Sequence, residues 1–172
     1  SLTREPLASR LLQIAQEGAL RNKKIAFDPN WRKLMDSPSY RILLQQLLSL
    51  SHYVKVSDED LERLFPGDGN ALATLQALAT QAEILYTLGA KGMQWIKGEQ
   101  VIEQPAYRVE VVDTVGCGDA SMGGWIASQL RQPEAPAQVH LQCAAAGAAI
   151  AASKAGAYAA TWDEVQAMIE RG

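Results

Sequence analysis

The spacing of apolar residues changes along this chain, and each change marks a new element. Leu7, Leu11, Leu12, Ile14 and Ala15 recur at helical spacing behind Pro6, whose fixed φ suits a first helical turn, so the pattern predicts an amphipathic helix with those five residues turned inward. Lys24-Ile25-Ala26-Phe27 is then short, apolar and halted by Asp28-Pro29-Asn30, as a buried strand ending in a turn would be. Ser37-Pro38 opens a second helix through Leu50, and His52 to Val56 reads as a second strand. Ser57 starts a third helix that Pro66-Gly67 stops, Ala71 to Gln81 makes a fourth, and Ile84 to Leu88 is a third strand ending at Gly89. Met93 to Lys97 and Gln100 to Gln104 pair as a hairpin around Gly98-Glu99, with Arg108 to Val111 as a further extended piece. The remainder is helical: Gly118 to Leu130, Ala137 to Lys154, and Trp162 to Arg171 behind a Thr161-x-x-Glu164 capping box.

Strands alternating with helices predict a parallel sheet covered on both faces, with functional residues at the strands' carboxyl ends. Asp28-Pro29-Asn30, Lys55-Val56-Ser57 and Thr87-Leu88-Gly89 each close a strand, and Asp113 to Asp119 leads from extended chain into a helix. With 172 residues, 48% of them hydrophobic, and no linker or shift in composition, residues 1–172 are expected to form one domain or part of one.

Charge narrows the partners. A formal net charge of -3 and the absence of a basic-aromatic patch speak against general nucleic-acid binding, while leaving room for a single nucleotide. Cys117 and Cys143 fit reduced thiols of a cytoplasmic protein better than a disulfide framework. The apolar run from Cys143 to Ala152 is shorter than a membrane span, and no stretch reads as a signal peptide, so no membrane partner is expected.

The richest chemistry lies in Asp113-Thr114-Val115-Gly116-Cys117-Gly118-Asp119. Glycines here permit a tight, positive-φ turn at a helix start, where orphaned N–H groups suit a phosphoryl oxyanion. Asp119 stands one step further along, placed to take a proton from an attacking hydroxyl. The plain alternative makes Asp119 a first-turn acid that merely complements the helix dipole. That dipole also favours the ionised carboxylate and weakens it as a base, a conflict eased in a loose transition state where the hydroxyl surrenders its proton late.

This stretch resembles the Asp-Thr-x-Gly-Ala-Gly-Asp signature of the ribokinase-like, pfkB-type carbohydrate kinases, with cysteine at the alanine position. Asp28-Pro29-Asn30-Trp31-Arg32 and Val54 to Asp60 resemble segments of the fructokinase branch, and Thr87-Leu88-Gly89-Ala90-Lys91-Gly92 resembles the family's nucleotide loop. The resemblance implies a three-layer α/β/α fold with a mostly parallel sheet, present here as its C-terminal portion without the N-terminal strands and β lid. The chain's opening on Ser1-Leu2-Thr3 suits a truncated form.

The implied reaction is transfer of the ATP γ-phosphoryl group to a sugar hydroxyl with Mg2+. In it Asp119 is the base, and Gly116, Cys117 and Gly118 supply amides to the transferred group. Thr87, Gly89 and Gly92 would face ATP, and Arg32 would meet a phosphate or substrate oxygen. Ser57 and Asp60 stand where the family often places Asn and Glu near magnesium-bound water, although Ser57-x-x-Asp60 is also a complete capping box. Asp113 lies where some members hold a monovalent cation such as K+. Cys117, at a helix start, is expected to have a lowered thiol pKa, and Ala145 falls where an asparagine commonly contacts the nucleotide.

Groups that grip the sugar are missing from these residues, so the isolated chain is expected to have little activity. The family's lid-mediated pairing implies a homodimer for the full-length protein. Two alternatives stand beside a fructokinase: a kinase of acidic sugars such as 2-keto-3-deoxygluconate, whose carboxylate Arg32 would meet, and a non-catalytic nucleotide-binding module.

Overall fold

The computed structural model describes residues 4–32 and 37–172, so Ser1-Leu2-Thr3 and positions 33–36 lie outside the described residues. Two compact units divide the chain, Ser1–Ile84 and Leu85–Gly172. The strands form a mixed sheet in the order β1-β2-β3-β4-β5, with β3 (Glu83–Thr87) containing the unit boundary.

The first unit carries α1 (Leu7–Leu20), β1 (Ala26–Phe27), α2 (Pro38–Leu50), β2 (Tyr53–Ser57), α3 (Asp58–Leu64) and α4 (Ala71–Leu78). Its strands β1 and β2 are parallel, Ala26 facing Tyr53 and Phe27 facing Val54. His52 Nδ1 accepts the Ile25 amide at 3.2 Å just ahead of that pairing. Helix α2 starts where Ser37 caps the Tyr40 amide and Pro38 takes the first helical position, where no donor is needed. Its inner face buries Leu43, Leu44, Leu47 and Leu48, and Val54 and Val56 of β2 are also buried. Each such side chain contributes about 2 kcal/mol relative to exposure.

Helix α1 departs from the expected stripe. Of the five residues expected inward, Ala15 is buried and Leu12 half-buried, but Leu7, Leu11 and Ile14 are exposed, and Ala8 is buried instead. Positions 7, 11 and 14 and positions 8 and 15 each repeat at helical spacing, so periodicity alone allowed either face. The small side chains turn inward, and α1 packs against α2.

The second unit holds a 3₁₀ turn (Gly89–Lys91), an antiparallel hairpin of β4 (Met93–Lys97) and β5 (Gln100–Gln104), and helices α5 (Cys117–Arg131), α6 (Ala137–Ala152) and α7 (Trp162–Arg171). The antiparallel hairpin makes the sheet mixed. Arg108 to Val111, expected to be extended, forms no strand. Helices α5 and α6 are pressed together through their smallest residues: a Cβ on Gly124 would strike the Cys143 carbonyl, and one on Gly147 would sit 2.8 Å from the Ala120 oxygen. This close approach accounts for the alanine-rich run in α6 and buries Ala144, Ala145 and Ala146. Cys143, Ala146, Ile150 and Val165 form a core cluster closed by Tyr107, Tyr158 and Trp162. The capping box of α7 is complete, with Thr161 and Glu164 satisfying each other's backbone amides.

Candidate active site

In the second unit the chain reaches α5 through a turn built on Asp113. One carboxylate oxygen accepts the Val115 amide at 3.0 Å, and the other accepts the Gly156 amide, 43 residues away, at 2.9 Å. The backbone on both sides of the carboxylate is thereby tied to one group. The Val112 amide also donates to the Ala152 carbonyl at 2.8 Å, fixing the turn to the end of α6. Gly116 caps α5 in the left-handed region at φ 82 and ψ -2, and a Cβ there would lie 3.1 Å from Ala157 Cα. Glycine is required by both conformation and space.

The first intrahelical bond of α5 runs from the Ala120 amide to the Gly116 carbonyl at 2.8 Å. By α-helical geometry the amides of Cys117, Gly118 and Asp119 have no acceptor inside the helix. Cys117 N–H makes a long turn bond of 3.3 Å to the Thr114 carbonyl, so its amide is partly committed to the turn. Asp119 is exposed in the first turn of α5. Amides without helical acceptors and an exposed carboxylate at one helix start are an arrangement able to receive an anion with a proton acceptor beside it.

Two electrostatic details refine the expected roles. The amides of Val115 and Gly156 hold the Asp113 carboxyl below the usual range. Burial, followed by the charge of Asp113, pushes the Cys117 thiol up, the opposite direction to the lowered pKa expected at a helix start.

The residues expected to form a nucleotide loop also lie in the second unit. Thr87 ends β3, and Gly89 has φ 57. Gly92 has φ 101, with its carbonyl accepting the Leu88 amide at 2.9 Å. Ala145 is buried within α6.

In the first unit a second turn follows β1. Asp28 accepts the Asn30 amide at 3.1 Å on one oxygen and pairs with the Lys55 ammonium at 3.1 Å on the other. Asn30 takes a positive φ of 37. The next amide, that of Trp31, donates to one oxygen of Asp60 at 3.0 Å, and the Ser57 hydroxyl donates to the other at 2.7 Å. Ser57 also caps α3 by accepting the Asp60 amide at 3.0 Å. Asp60 and Ser57 are therefore brought together as fasteners of the turn that carries Arg32. The Arg32 guanidinium is exposed and donates to the Trp31 carbonyl at 2.9 Å, while Arg63 lies 5.5 Å from the centroid of the Trp31 ring. Burial raises the Asp28 carboxyl above its ordinary value, outweighing the downward pull of Lys55.

The pairing of Lys55 with Asp28, and the bond from the Gly156 amide to Asp113, were not legible in the sequence. The partner of each is far away in sequence, and a lysine at a strand's end ordinarily signals solvent. The one available signal was that Lys55 stands between two valines in a strand with both faces buried.

Among the described residues no group of three or more His, Cys, Asp or Glu is placed to hold a metal ion, and no helix is long and apolar enough to cross a membrane.

The fold defines the class as an α/β protein with a mixed sheet and flanking helices. A family model described as pfkB family carbohydrate kinase matches residues 2–164, and the chain belongs to that family. A fructokinase of Rhizobium leguminosarum bv. trifolii is 36% identical over 110 residues, covering 62% of this chain and 34% of the relative. A 2-dehydro-3-deoxygalactonokinase of Haloferax volcanii is 30% identical over 177 residues, covering 100% of this chain and 54% of the relative. Among solved structures, a fructokinase with bound ATP from Xylella fastidiosa superposes with a TM-score of 0.86 at 26% identity, covering 99% of this chain and 59% of that one. An Escherichia coli protein solved with ATP and Mg2+ gives 0.83 at 28% identity, covering 94% and 53%. The fold is ribokinase-like, and the chain spans about a third to somewhat over half the length of these relatives.

Proposed function

We propose that this chain carries the phosphoryl-transfer part of an ATP-dependent sugar kinase of the fructokinase type. The supporting observation is the Asp113-fastened turn, which ends in left-handed Gly116 and opens α5 with first-turn amides that have no acceptor inside the helix, beside Asp119. Gly118 and the neighbouring amides of Gly116 and Cys117 receive the charge developing on the transferred group, and Asp119 orients the sugar hydroxyl and accepts its proton late. Thr87, Gly89 and Gly92 form the nucleotide loop. Arg32 meets an anionic oxygen. Mg2+ would supply charge neutralisation on the phosphates; in the first unit, Ser57 and Asp60 could meet such an ion only through water, since both Asp60 oxygens already hold their own turn. Asp113 serves first as the fastener of the anion turn.

A sugar acid is the second substrate reading. The Haloferax relative aligns over the whole chain, and Asp28-x-Asn30-x-Arg32 offers a guanidinium to a carboxylate. An amide-resolved NMR titration with MgATP tests the shared part: shifts at Gly116, Gly118 and Asp119 are expected, and unmoved amides at saturating nucleotide overturn the kinase reading. A coupled ADP-release assay with fructose and 2-keto-3-deoxygluconate then separates the substrates. The chain by itself is expected to turn over slowly, and an ordinary enzymatic rate would refute that expectation.

A further inference from the structure

We propose that Lys55 is a positioning residue: without touching ligand, it sets the backbone turn from which Arg32 binds an anionic oxygen. The inference rests on the Arg32 assignment above and extends it to a residue with no role there. Lys55 lies inside β2 between the fully buried Val54 and Val56 and is itself only 5% exposed. Its ammonium lies 3.1 Å from Asp28, whose second oxygen holds the Asn30 amide at 3.1 Å. Asn30 is thereby kept at φ 37, and the following Trp31 amide is directed at Asp60. Arg32 comes next and hydrogen-bonds back onto the Trp31 carbonyl.

Fastened amides or carboxylates thus occur at Asp28, Asn30 and Trp31, immediately ahead of one guanidinium. Burying an ammonium and a carboxylate brings little net stability, because desolvation offsets most of their attraction. A methionine at position 55 would fill similar space. What the ion pair adds is direction: it fixes where the Asp28 carboxylate points, and through the Asn30 amide it fixes the turn. The ligand chemistry common to phosphate and sugar-acid carboxylate is a planar or tetrahedral oxyanion, which a guanidinium recognises by paired N–H donors.

The test uses the 172-residue chain and compares wild type with Lys55→Arg and with the double variant Lys55→Met/Asp28→Asn, which removes both charges and so leaves no orphaned ion. Amide hydrogen exchange at Asn30 and Trp31 reports the turn. Titration with inorganic pyrophosphate or with gluconate, followed at the Arg32 side-chain N–H, reports anion binding and separates phosphate from carboxylate.

The double variant should stay folded by circular dichroism, exchange roughly tenfold faster at the two amides, and bind its anion about tenfold to a hundredfold more weakly. Lys55→Arg should recover part of that loss. A folded double variant with unchanged exchange and unchanged Arg32 affinity overturns the proposal, as does an Arg32 that answers neither anion in wild type. Failure of the kinase reading shows elsewhere, as MgATP leaving the Gly116 to Asp119 amides unmoved.

Discussion

Replacing Gly92 by alanine should destabilise the protein far more than replacing Gly89, three residues earlier in the same loop. Both glycines have positive φ, 101 and 57 respectively. At Gly89 nothing lies within 4 Å of a new Cβ, so the cost is that of a left-handed L-residue, about 1–2 kcal/mol. At Gly92 the backbone has φ 101 and ψ -140, close to a region occupied almost solely by glycine, which adds strain of about 1–3 kcal/mol. A Cβ there also strikes the Gln104 carbonyl and lies 2.8 Å from Pro105 Cα and from the Ala106 amide nitrogen. All three are backbone atoms, so no rotamer change relieves the clash, and overpacking adds about 1–3 kcal/mol.

The sum, about 2–6 kcal/mol, is a large fraction of the roughly 5–15 kcal/mol that holds a domain together. At about 2–4 °C per kcal/mol for a chain of this size, Gly92→Ala should melt roughly 10 °C lower and Gly89→Ala roughly 4 °C lower. Paired urea titrations and calorimetric melts read both. If Gly92→Ala loses no more than Gly89→Ala, the close approach of residues 104–106 to this loop is wrong.

Asp119→Asn should leave the melting temperature nearly unchanged while lowering kcat of the active kinase by about 10²–10⁴, the range for loss of a general base, and unaltered turnover in the coupled ADP assay would refute its role. Tyr40→Phe should be neutral or stabilising by about 1 kcal/mol, because the buried Tyr40 hydroxyl has no hydrogen-bond partner among the described residues, and its ionisation is pushed up to about 12 by burial and by the charges of Asp60 and Asp28. Urea unfolding measures the difference, and a loss above that size would reveal a partner for the hydroxyl. The Cys117 thiol, held protonated by burial and Asp113, should be alkylated by iodoacetamide at neutral pH no faster than a simple thiol, and more slowly with ATP bound. Fast, thiolate-like alkylation, or equal rates with and without ATP, contradicts the placement.

Most elements were legible because the chain punctuates them chemically. Ser37-Pro38, Gly98-Glu99 and Thr161-x-x-Glu164 are local signals whose hydrogen bonds or backbone angles lie within a few residues, and each lies at the boundary expected. What escaped was decided by distant partners. The inward face of α1 depends on packing against α2: Ala15 was legible as inward, but Ala8 rather than Leu7, Leu11 or Ile14 joins it in the core, and no count along α1 alone reveals that. Lys55 is buried only because Asp28 meets it across 27 positions. The depressed thiol expected at Cys117 followed from the helix start; the neighbouring carboxylate and the surrounding protein reverse it. For the candidate site, the glycines and Asp119 were readable because backbone conformation and helix position follow from local sequence. The fasteners were not, because a carboxylate's second oxygen can be satisfied from anywhere in the fold.

Those fasteners share one device and differ in electrostatics, which makes them separable by acid. Asp28 and Asp113 each accept the amide two residues ahead, closing an Asx turn, and each commits its other oxygen to a distant group, the Lys55 ammonium or the Gly156 amide. Burial raises the Asp28 carboxyl, whereas amide donors lower that of Asp113. On acidification Asp28 therefore takes its proton first and Asp113 last. The stability consequences have opposite sign. The share from Asp113 is complete above the ordinary carboxylate pKa of about 4 and is lost as pH falls through its lower folded value. Protonation of Asp28 is easier in the folded than in the unfolded chain, so falling pH through its raised value adds stability and offsets part of that loss. Side-chain carboxyl 13C shifts followed from about pH 7 to pH 2 read the order directly. In Asp113→Asn the lowest-pH part of the stability decline should disappear, while the Asp28 step remains. If Asp113 protonates before Asp28, the amide clamp on the anion turn is not the force that holds it.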